Sequence, residues 1–127
     1  MQNVIAIAYE GSFTQEVEVG THNLTSDAEP NDGGSGLGPL PHDFLSVALA
    51  TCTSMTLQMY AKRKEWPLEK ILVDVHFKKS PDGGTVFYKK IEMEGALSDE
   101  QKAKLIEISD KCPVFKTLTG GITVEMA

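Results

Sequence analysis

The sequence has few of the residues that most often build metal and cofactor sites. Its 127 residues include two cysteines and three histidines. The cysteines form no C-x-x-C pair and no cluster with histidine at zinc-ligand spacing, so we expect neither a bound metal nor another cofactor. In a reducing compartment two such thiols are either incidental or redox-active, because permanent disulfides are uncommon there.

Positive charge is also scarce. The formal net charge is −6, and Arg63 is the only arginine. The lysines are scattered or paired rather than massed on one segment, so we expect no nucleic-acid partner. The N-terminal segment MQNVIAIAYE lacks the basic and long apolar regions of a signal peptide, and no apolar run of membrane-spanning length is free of charge. We therefore expect a soluble, cytoplasmic protein with no membrane partner and a single domain over residues 1–127.

The first half of the chain predicts a hairpin followed by a long helix. The segments NVIAIAYE and FTQEVEV have strand-like patterns and are separated by Gly11 and Ser12. Residues 20–41 are rich in glycine and proline, which predicts a long loop. A helix is expected from about Pro41 to about Glu65, where Trp66 and Pro67 end it. Its apolar residues lie nearly all the way round, so we expect protein to surround it.

The second half predicts a second hairpin, a shorter helix and a final strand. LEKILVDVHFKKS alternates strictly, SPDGGT supplies a turn, and TVFYKKIEMEG supplies the antiparallel partner. Ser98 and Gln101 form a capping-box pattern for a helix that Cys112 and Pro113 end. GITVEM reads as a closing strand. The order β-β-α-β-β-α-β indicates an α+β domain in which an antiparallel sheet wraps around a long, buried central helix.

The two cysteines are the main candidates for chemistry. Cys52 lies inside the apolar helix, where it is either a small core residue or a reactive thiol that needs a second group. Cys112, at a helix end before a proline, is expected to be exposed or half-exposed. His22 and His42 are placed either beside a thiol or in capping and solvent positions. Side chains expected in solvent are His76 and the paired lysines Lys78, Lys79, Lys89 and Lys90.

The ordered motifs of the chain resemble those of one protein family. GGSGLGPLPHDFLSVALATCTSMTLQMYAKRKEWPLEKILVDVHF is followed, about sixty residues after the first cysteine, by KCPVFKTLTGGITVEM. This set, with A-x-C-x-x-M inside a long helix and C-P-V after the second helix, is similar to the OsmC/Ohr family of osmotically inducible and organic-hydroperoxide-resistance proteins. The resemblance covers nearly the whole chain and implies an OsmC-like fold.

The resemblance implies a homodimeric thiol peroxidase. In that role Cys52 attacks the hydroperoxide, and Cys112 resolves the sulfenic acid as an intramolecular disulfide. The implied substrates are organic hydroperoxides, and the implied reductant is a dithiol of the lipoyl type. An apolar surround of Phe44, Leu49 and Met55 would favour carbon-bearing hydroperoxides, because each buried methylene contributes about 0.8 kcal/mol.

The residues that activate the thiol differ from the family pattern. Peroxidases of this family place an N-terminal arginine beside the thiolate and orient it with a glutamate just before the central helix. Here Arg63 lies roughly 16 Å beyond Cys52 along the helix axis. His42 occupies the glutamate position with Asp43 beside it, so these two residues are the candidates for the activating role. Without an arginine we expect slow peroxidation whose rate climbs between roughly pH 7 and 9, where an unassisted thiol ionises.

Two other functions remain open for the sequence. One is a non-enzymatic dimer that binds an apolar ligand, with Cys52 as a packing residue. The other is a thiol redox sensor that forms the same disulfide and signals through a partner.

Overall fold

The structure is a computed structural model that describes residues 1–127. The chain forms two compact units, Met1–Leu45 and Ser46–Ala127. The elements are, in order, the strands β1 (Val4–Ile7), β2 (Gln15–Val19) and β3 (His22–Ser26), a 3-10 turn at Pro30–Asp32, helix α1 (Pro41–Lys64), strands β4 (Lys70–Lys79) and β5 (Thr85–Glu94), helix α2 (Asp99–Ile108), a 3-10 turn at Ser109–Lys111 and helix α3 (Pro113–Thr119). The α+β class is confirmed.

The first unit is a three-stranded antiparallel sheet in the order β1-β2-β3. The predicted hairpin of β1 and β2 is present, with Val4 opposite Val19. The third strand lies inside the segment predicted to be loop, and it follows β2 after a two-residue turn that begins at Gly20. Gly20 adopts a positive φ of 59°, which glycine reaches without steric cost and which tight hairpin turns need. That glycine was the sequence signal for β3.

The rest of the predicted loop is ordered around the carboxylate of Asp27. This side chain is almost fully buried and accepts hydrogen bonds from the hydroxyl of Thr14 and from the backbone N–H groups of Ala28, Ser35 and Leu37. These hydrogen bonds outweigh the effect of burial, which acts in the opposite direction, and they lower the pKa of Asp27 below its ordinary value. The glycine- and proline-rich segment is therefore a folded loop with one anionic centre.

Helix α1 begins and ends where the sequence predicted. The part of the helix in the second unit buries one stripe of side chains at every fourth position. These are Leu49, Thr53, Leu57 and Ala61. Leu57 and Ala61 pack against Leu105 of α2 to form the core of this unit. The opposite side is open, with Val47 50% and Met55 54% exposed. The expectation that protein surrounds the helix is wrong for the single chain, because one sheet and one helix cover only one side.

By length and composition alone, α1 also meets the test for a membrane-spanning helix, with a mean hydropathy of 1.2 over its best 18-residue window. The core helix of a soluble protein meets the same test.

The second hairpin has the predicted antiparallel pairing and alternation of faces. Strands β4 and β5 pair antiparallel, with Ile71 opposite Met93 and Phe77 opposite Phe87. The alternating residues of β4 are half-buried and exposed in turn, as the period-2 pattern required. Helix α2 begins with the predicted capping box, in which Ser98 accepts from the N–H of Gln101 and the Gln101 side chain accepts from the N–H of Ser98.

The C-terminal segment differs from the prediction. Residues 113–119, expected to be irregular, form helix α3, because Pro113 occupies its first position and favours a helix start there. GITVEM forms no strand, and its alternating apolar side chains are exposed, Val124 to 93%. A strand requires a neighbouring backbone for its hydrogen bonds, and the second unit offers none to this segment.

Candidate active site

Cys52 lies in the middle of α1 beside the buried stripe of that helix. The residue is half-buried. One turn further along the helix, the hydroxyl of Thr56 donates a hydrogen bond that favours the thiolate of Cys52. The position of Cys52, between buried and open faces, is that of a thiol a small substrate can reach.

Cys112 lies between the 3-10 turn after α2 and the start of α3. Its side chain is fully buried, so the predicted exposed thiol is wrong. The sulfur caps α3 by accepting a hydrogen bond from the backbone N–H of Phe115 at 3.4 Å. The turn after α2 folds the chain back before Pro113, and this places the cysteine inside rather than on the surface.

The two thiols interact with each other, although sixty positions separate them in the sequence. Burial and then the hydrogen bond to Cys112 raise the pKa of Cys52. Burial also acts to raise the pKa of Cys112. Hydrogen bonds from the Cys52 thiol and from the N–H groups of Phe115 and Val114 outweigh burial, and the pKa of Cys112 is lowered. The pair is therefore expected to lose its first proton from the buried sulfur of Cys112 rather than from Cys52.

Thr53 adds a third group to the thiol pair. The residue is fully buried, and its hydroxyl makes no hydrogen bond of ordinary geometry. The sulfur of Cys112 is the acceptor that this hydroxyl approaches, and the hydroxyl helps to lower the pKa of Cys112. A buried hydroxyl without a hydrogen bond of ordinary geometry lowers the free energy of unfolding by about 1–3 kcal/mol. Sequence reasoning missed Thr53, because threonine inside an apolar helix carries no recognisable motif.

A mainly apolar cavity of about 310 Å³, whose wall also includes Lys89, lies beside Leu49 and Phe115, which are near the two cysteines in the chain. Leu49, one turn before Cys52, forms part of its wall together with Phe87 and Phe115. The predicted contact residue Leu49 is thus placed beside a cavity. Met55 is 54% exposed on the open side of α1, and Phe44 is half-buried in the first unit. Their role in binding substrate stays a prediction.

Asp43 and His42 lie in the first turn of α1. The carboxylate of Asp43 accepts a hydrogen bond from the backbone N–H of Leu40 at 2.9 Å, which stabilises the helix start. His42 is exposed. The structure thus gives Asp43 a structural role, and the catalytic role of both residues stays a prediction.

The remaining polar candidates are His22, His76 and Lys89. His22 is exposed at the start of β3, and His76 is stacked on Tyr88 with ring centroids 5.2 Å apart. Lys89 was expected in solvent, but its side chain is only 14% exposed. Its ammonium group donates to Asp110 at 3.1 Å and lies 5.3 Å from the ring centroid of Phe115. The prediction of a solvated Lys89 is wrong, because the α2–α3 segment packs over the middle of β5.

This arrangement defines a class of protein: an α+β domain with a contacting pair of cysteines, one on a long helix and one at a helix start. A family model described as OsmC-like protein matches residues 33–127, three quarters of the chain. The protein belongs to the OsmC-like family. None of the curated proteins is significantly similar to it in sequence.

Solved structures share the fold over nearly the whole chain. An OsmC-like protein from Mycoplasma pneumoniae has a TM-score of 0.80 and 24% identity, over 94% of this chain and 88% of that one. An organic hydroperoxide resistance protein OsmC from Legionella pneumophila has a TM-score of 0.66 and 21% identity, over 93% and 90%. The organic hydroperoxide resistance protein OhrB of Bacillus subtilis has a TM-score of 0.63 and 21% identity, over 98% and 95%. At these identities the comparisons establish the fold.

Proposed function

We propose that the protein is a thiol peroxidase that reduces organic hydroperoxides, with Cys52 as the attacking thiol and Cys112 as the resolving thiol. The contact between the only two cysteines, one reachable and one buried, is the observation that carries this proposal. Membership of the OsmC-like family and the hydroperoxide-resistance neighbours support a role in peroxide resistance. We propose a cytoplasmic location and a homodimer as the working form.

The accessible thiol reacts first. As Cys52 attacks the terminal oxygen of the hydroperoxide, its proton passes to the Cys112 thiolate, an S–O bond forms and the O–O bond breaks. The alkoxide that leaves takes the proton and departs as an alcohol. The sulfur of Cys52 is oxidised to a sulfenic acid, and the peroxide is reduced by two electrons. Cys112 is again a thiolate at the end of this step.

The buried thiolate then resolves the sulfenic acid. Cys112 attacks the sulfur of Cys52, an S–S bond forms, the S–O bond breaks, and the hydroxide that leaves is protonated to water. A thiolate already stabilised by the N–H groups of Phe115 and Val114 is ready for this step. A dithiol reductant of the lipoyl type then gives its two thiol hydrogens and two electrons to the disulfide, and both cysteines are restored.

The hydrogen bonds to Cys112 replace the function of the missing arginine. Arg63 is distant along the helix, and the second unit supplies no cationic side chain that bonds to either sulfur. The negative charge is instead stabilised by neutral donors, which are the two backbone N–H groups, the Thr53 hydroxyl and the thiol of Cys52. The pair therefore forms a thiolate without a cation.

The apolar cavity beside Leu49 favours organic hydroperoxides over hydrogen peroxide. Its wall includes Val86, Phe87, Phe115 and Leu118. A carbon chain in this cavity leaves water and contributes about 0.8 kcal/mol for each buried methylene, and hydrogen peroxide has no methylene to bury.

A peroxidase assay with parallel variants tests the proposal. With cumene hydroperoxide and dihydrolipoamide, we expect turnover by the wild type, no turnover by Cys52→Ser, and one equivalent of sulfenic acid without turnover by Cys112→Ser. Non-reducing mass analysis of the oxidised wild type should show the loss of two hydrogens within one chain. Unchanged thiols after peroxide would favour the binding protein, and a disulfide that dithiols do not turn over would favour the sensor.

A further inference from the structure

A second cavity of about 310 Å³ lies between α1 and the residues on either side of Cys112. On α1, Cys52, Thr56, Met59 and Arg63 are spaced by four, three and four residues, so they lie along one side of the helix. Thr56, which bonds to Cys52, begins the wall of this cavity, and Arg63 ends it. Across from the helix, the wall is formed by Ile108, Lys111 and Pro113.

The wall of this cavity is positively charged. Arg63 and Lys111 are both wall residues, and no acidic residue is. Neither forms an ion pair, whereas Lys89, Lys90 and Lys104 each pair with a carboxylate. The guanidinium of Arg63 lies 5.4 Å from the ring centroid of Tyr60, which holds it at the wall. In a chain of net charge −6, two unpaired cations at one cavity are available to an anion.

Most of the remaining wall is apolar and consists of Met59, Ile108, Pro113 and the ring of Tyr60. Arg63 is eleven residues beyond Cys52, roughly 16 Å along the helix axis. A small inorganic anion held by Arg63 would not reach the sulfur. A ligand that fills the cavity therefore has an anionic head, an apolar body and a reactive group at the opposite end.

We propose that Arg63 and Lys111 bind the carboxylate of a chain-like ligand whose other end reacts at Cys52. This subsite rests on the proposed peroxidase function and specifies its ligand. The carboxylate belongs either to the organic hydroperoxide or to the dithiol reductant, since both meet the same sulfur of Cys52. The planar guanidinium suits a carboxylate, to which it donates two parallel hydrogen bonds.

Binding of decanoate, a carboxylate with no peroxide or thiol, tests the subsite without any enzyme activity. By calorimetry we expect decanoate to bind the reduced wild type, to bind more weakly as salt is added, and to bind about tenfold or more weakly to the double variant Arg63→Gln/Lys111→Gln. Lys62→Gln removes the same kind of charge from α1 outside the cavity wall and should bind as the wild type does. No binding to the wild type, or equal binding to the double variant, would overturn the proposal.

Separate half-reactions distinguish the two sources of the carboxylate. In the oxidation arm, the rate with a fatty-acid hydroperoxide is compared with that of its methyl ester. In the reduction arm, dihydrolipoate is compared with dihydrolipoamide. The arm in which the wild type prefers the acid, and the double variant does not, identifies the ligand. Absence of this preference in both arms, with the ester and amide still turned over, rejects the subsite and leaves the peroxidase function standing. Absence of all turnover rejects the peroxidase function, and the decanoate titration still judges the subsite.

Discussion

The sulfurs of Cys52 and Cys112 interact, so the two thiols titrate as a pair. Once the pair has lost one proton, the reactive form, with Cys52 ionised and Cys112 protonated, has as many protons as the form with Cys112 ionised, so the ratio of the two forms does not depend on pH. The rate therefore follows the first ionisation of the pair. The climb between pH 7 and 9 was derived for Cys52 alone and stays a prediction; because the pKa of Cys112 is lowered, we expect the climb of the pair to lie at lower pH.

The first prediction concerns Cys112→Ser. In the wild type, the rate of Cys52 oxidation should level off at a lower pH than in the variant, because the pKa of Cys112 is lowered and the pair ionises more readily. In the variant, Cys52 ionises alone with a pKa that burial raises, so its rate should still be increasing at pH 9. Quenched single-turnover oxidation across pH measures both profiles. Identical profiles would show that Cys112 does not share the proton.

Thr53→Val separates the chemical role of the hydroxyl from its structural role. Valine has the same shape and removes a buried, unpaired hydroxyl, so the free energy of unfolding should stay the same or rise by about 1 kcal/mol. The pH profile of Cys52 oxidation should move to higher pH, because Cys112 loses a donor.

Denaturant unfolding and the same quenched oxidation give the two readouts. Thr53→Ser keeps the hydroxyl and should restore the wild-type profile. If valine leaves the profile in place, the hydroxyl does not act on the thiol pair.

At the scale of elements, the folded loop around Asp27 should respond to acid. The pKa of Asp27 is lowered in the folded chain, so its contribution to stability is present above the unfolded pKa and is lost as pH falls through the folded value. Asp27→Asn replaces a carboxylate that accepts four hydrogen bonds with a weaker, neutral acceptor. This variant should have a lower Tm at pH 7. The difference in Tm between the wild type and this variant should shrink below about pH 4, the ordinary range of an aspartate. A difference that does not change with pH would argue against this role of the charge.

The end of helix α1 contains a strained residue. Glu65 has a φ of 58°, and the N–H of Trp66 beyond it bonds to the carbonyl of Ala61 at 2.8 Å, as at many helix C-termini. A left-handed conformation costs a residue with a Cβ about 1–2 kcal/mol, whereas glycine adopts it freely. Glu65→Gly should therefore raise the free energy of unfolding by about 1 kcal/mol, less the extra entropy of glycine in the unfolded chain. Urea denaturation measures this change in the free energy of unfolding. A variant less stable than the wild type would contradict the expectation.

At the scale of the whole molecule, the exposed apolar surface predicts an obligate homodimer. In the single chain, water covers several apolar side chains on α1 and in the C-terminal tail. They are Val47, Met55, Ile122, Val124 and Met126. The alternating tail is suited to pair as a strand with a second chain. Light scattering at micromolar concentration should give about twice the chain mass of 13.8 kDa. A mass equal to one chain would refute the dimer. Deletion of residues 122–127 should weaken association without removing α1.

The sequence by itself determined the elements whose signals are local. Local spacing predicted helix α1, the hairpin of β4 and β5 and the capping box of α2. The ordered motifs with the two cysteines indicated the family. Local spacing did not show β3, whose alternation is weak, or α3, where proline acts as a start rather than a stop.

Only the tertiary structure decided which sulfur is buried, which holds the charge, and what surrounds them. The pKa values of Cys52 and Cys112 depend on burial and on donors that come from distant parts of the chain, namely Phe115, Val114 and Thr53. The two thiols meet because α2 packs on Leu57 and Ala61 and returns the chain to α1. Contacts of this kind join residues about sixty positions apart, and no periodicity within a segment encodes them.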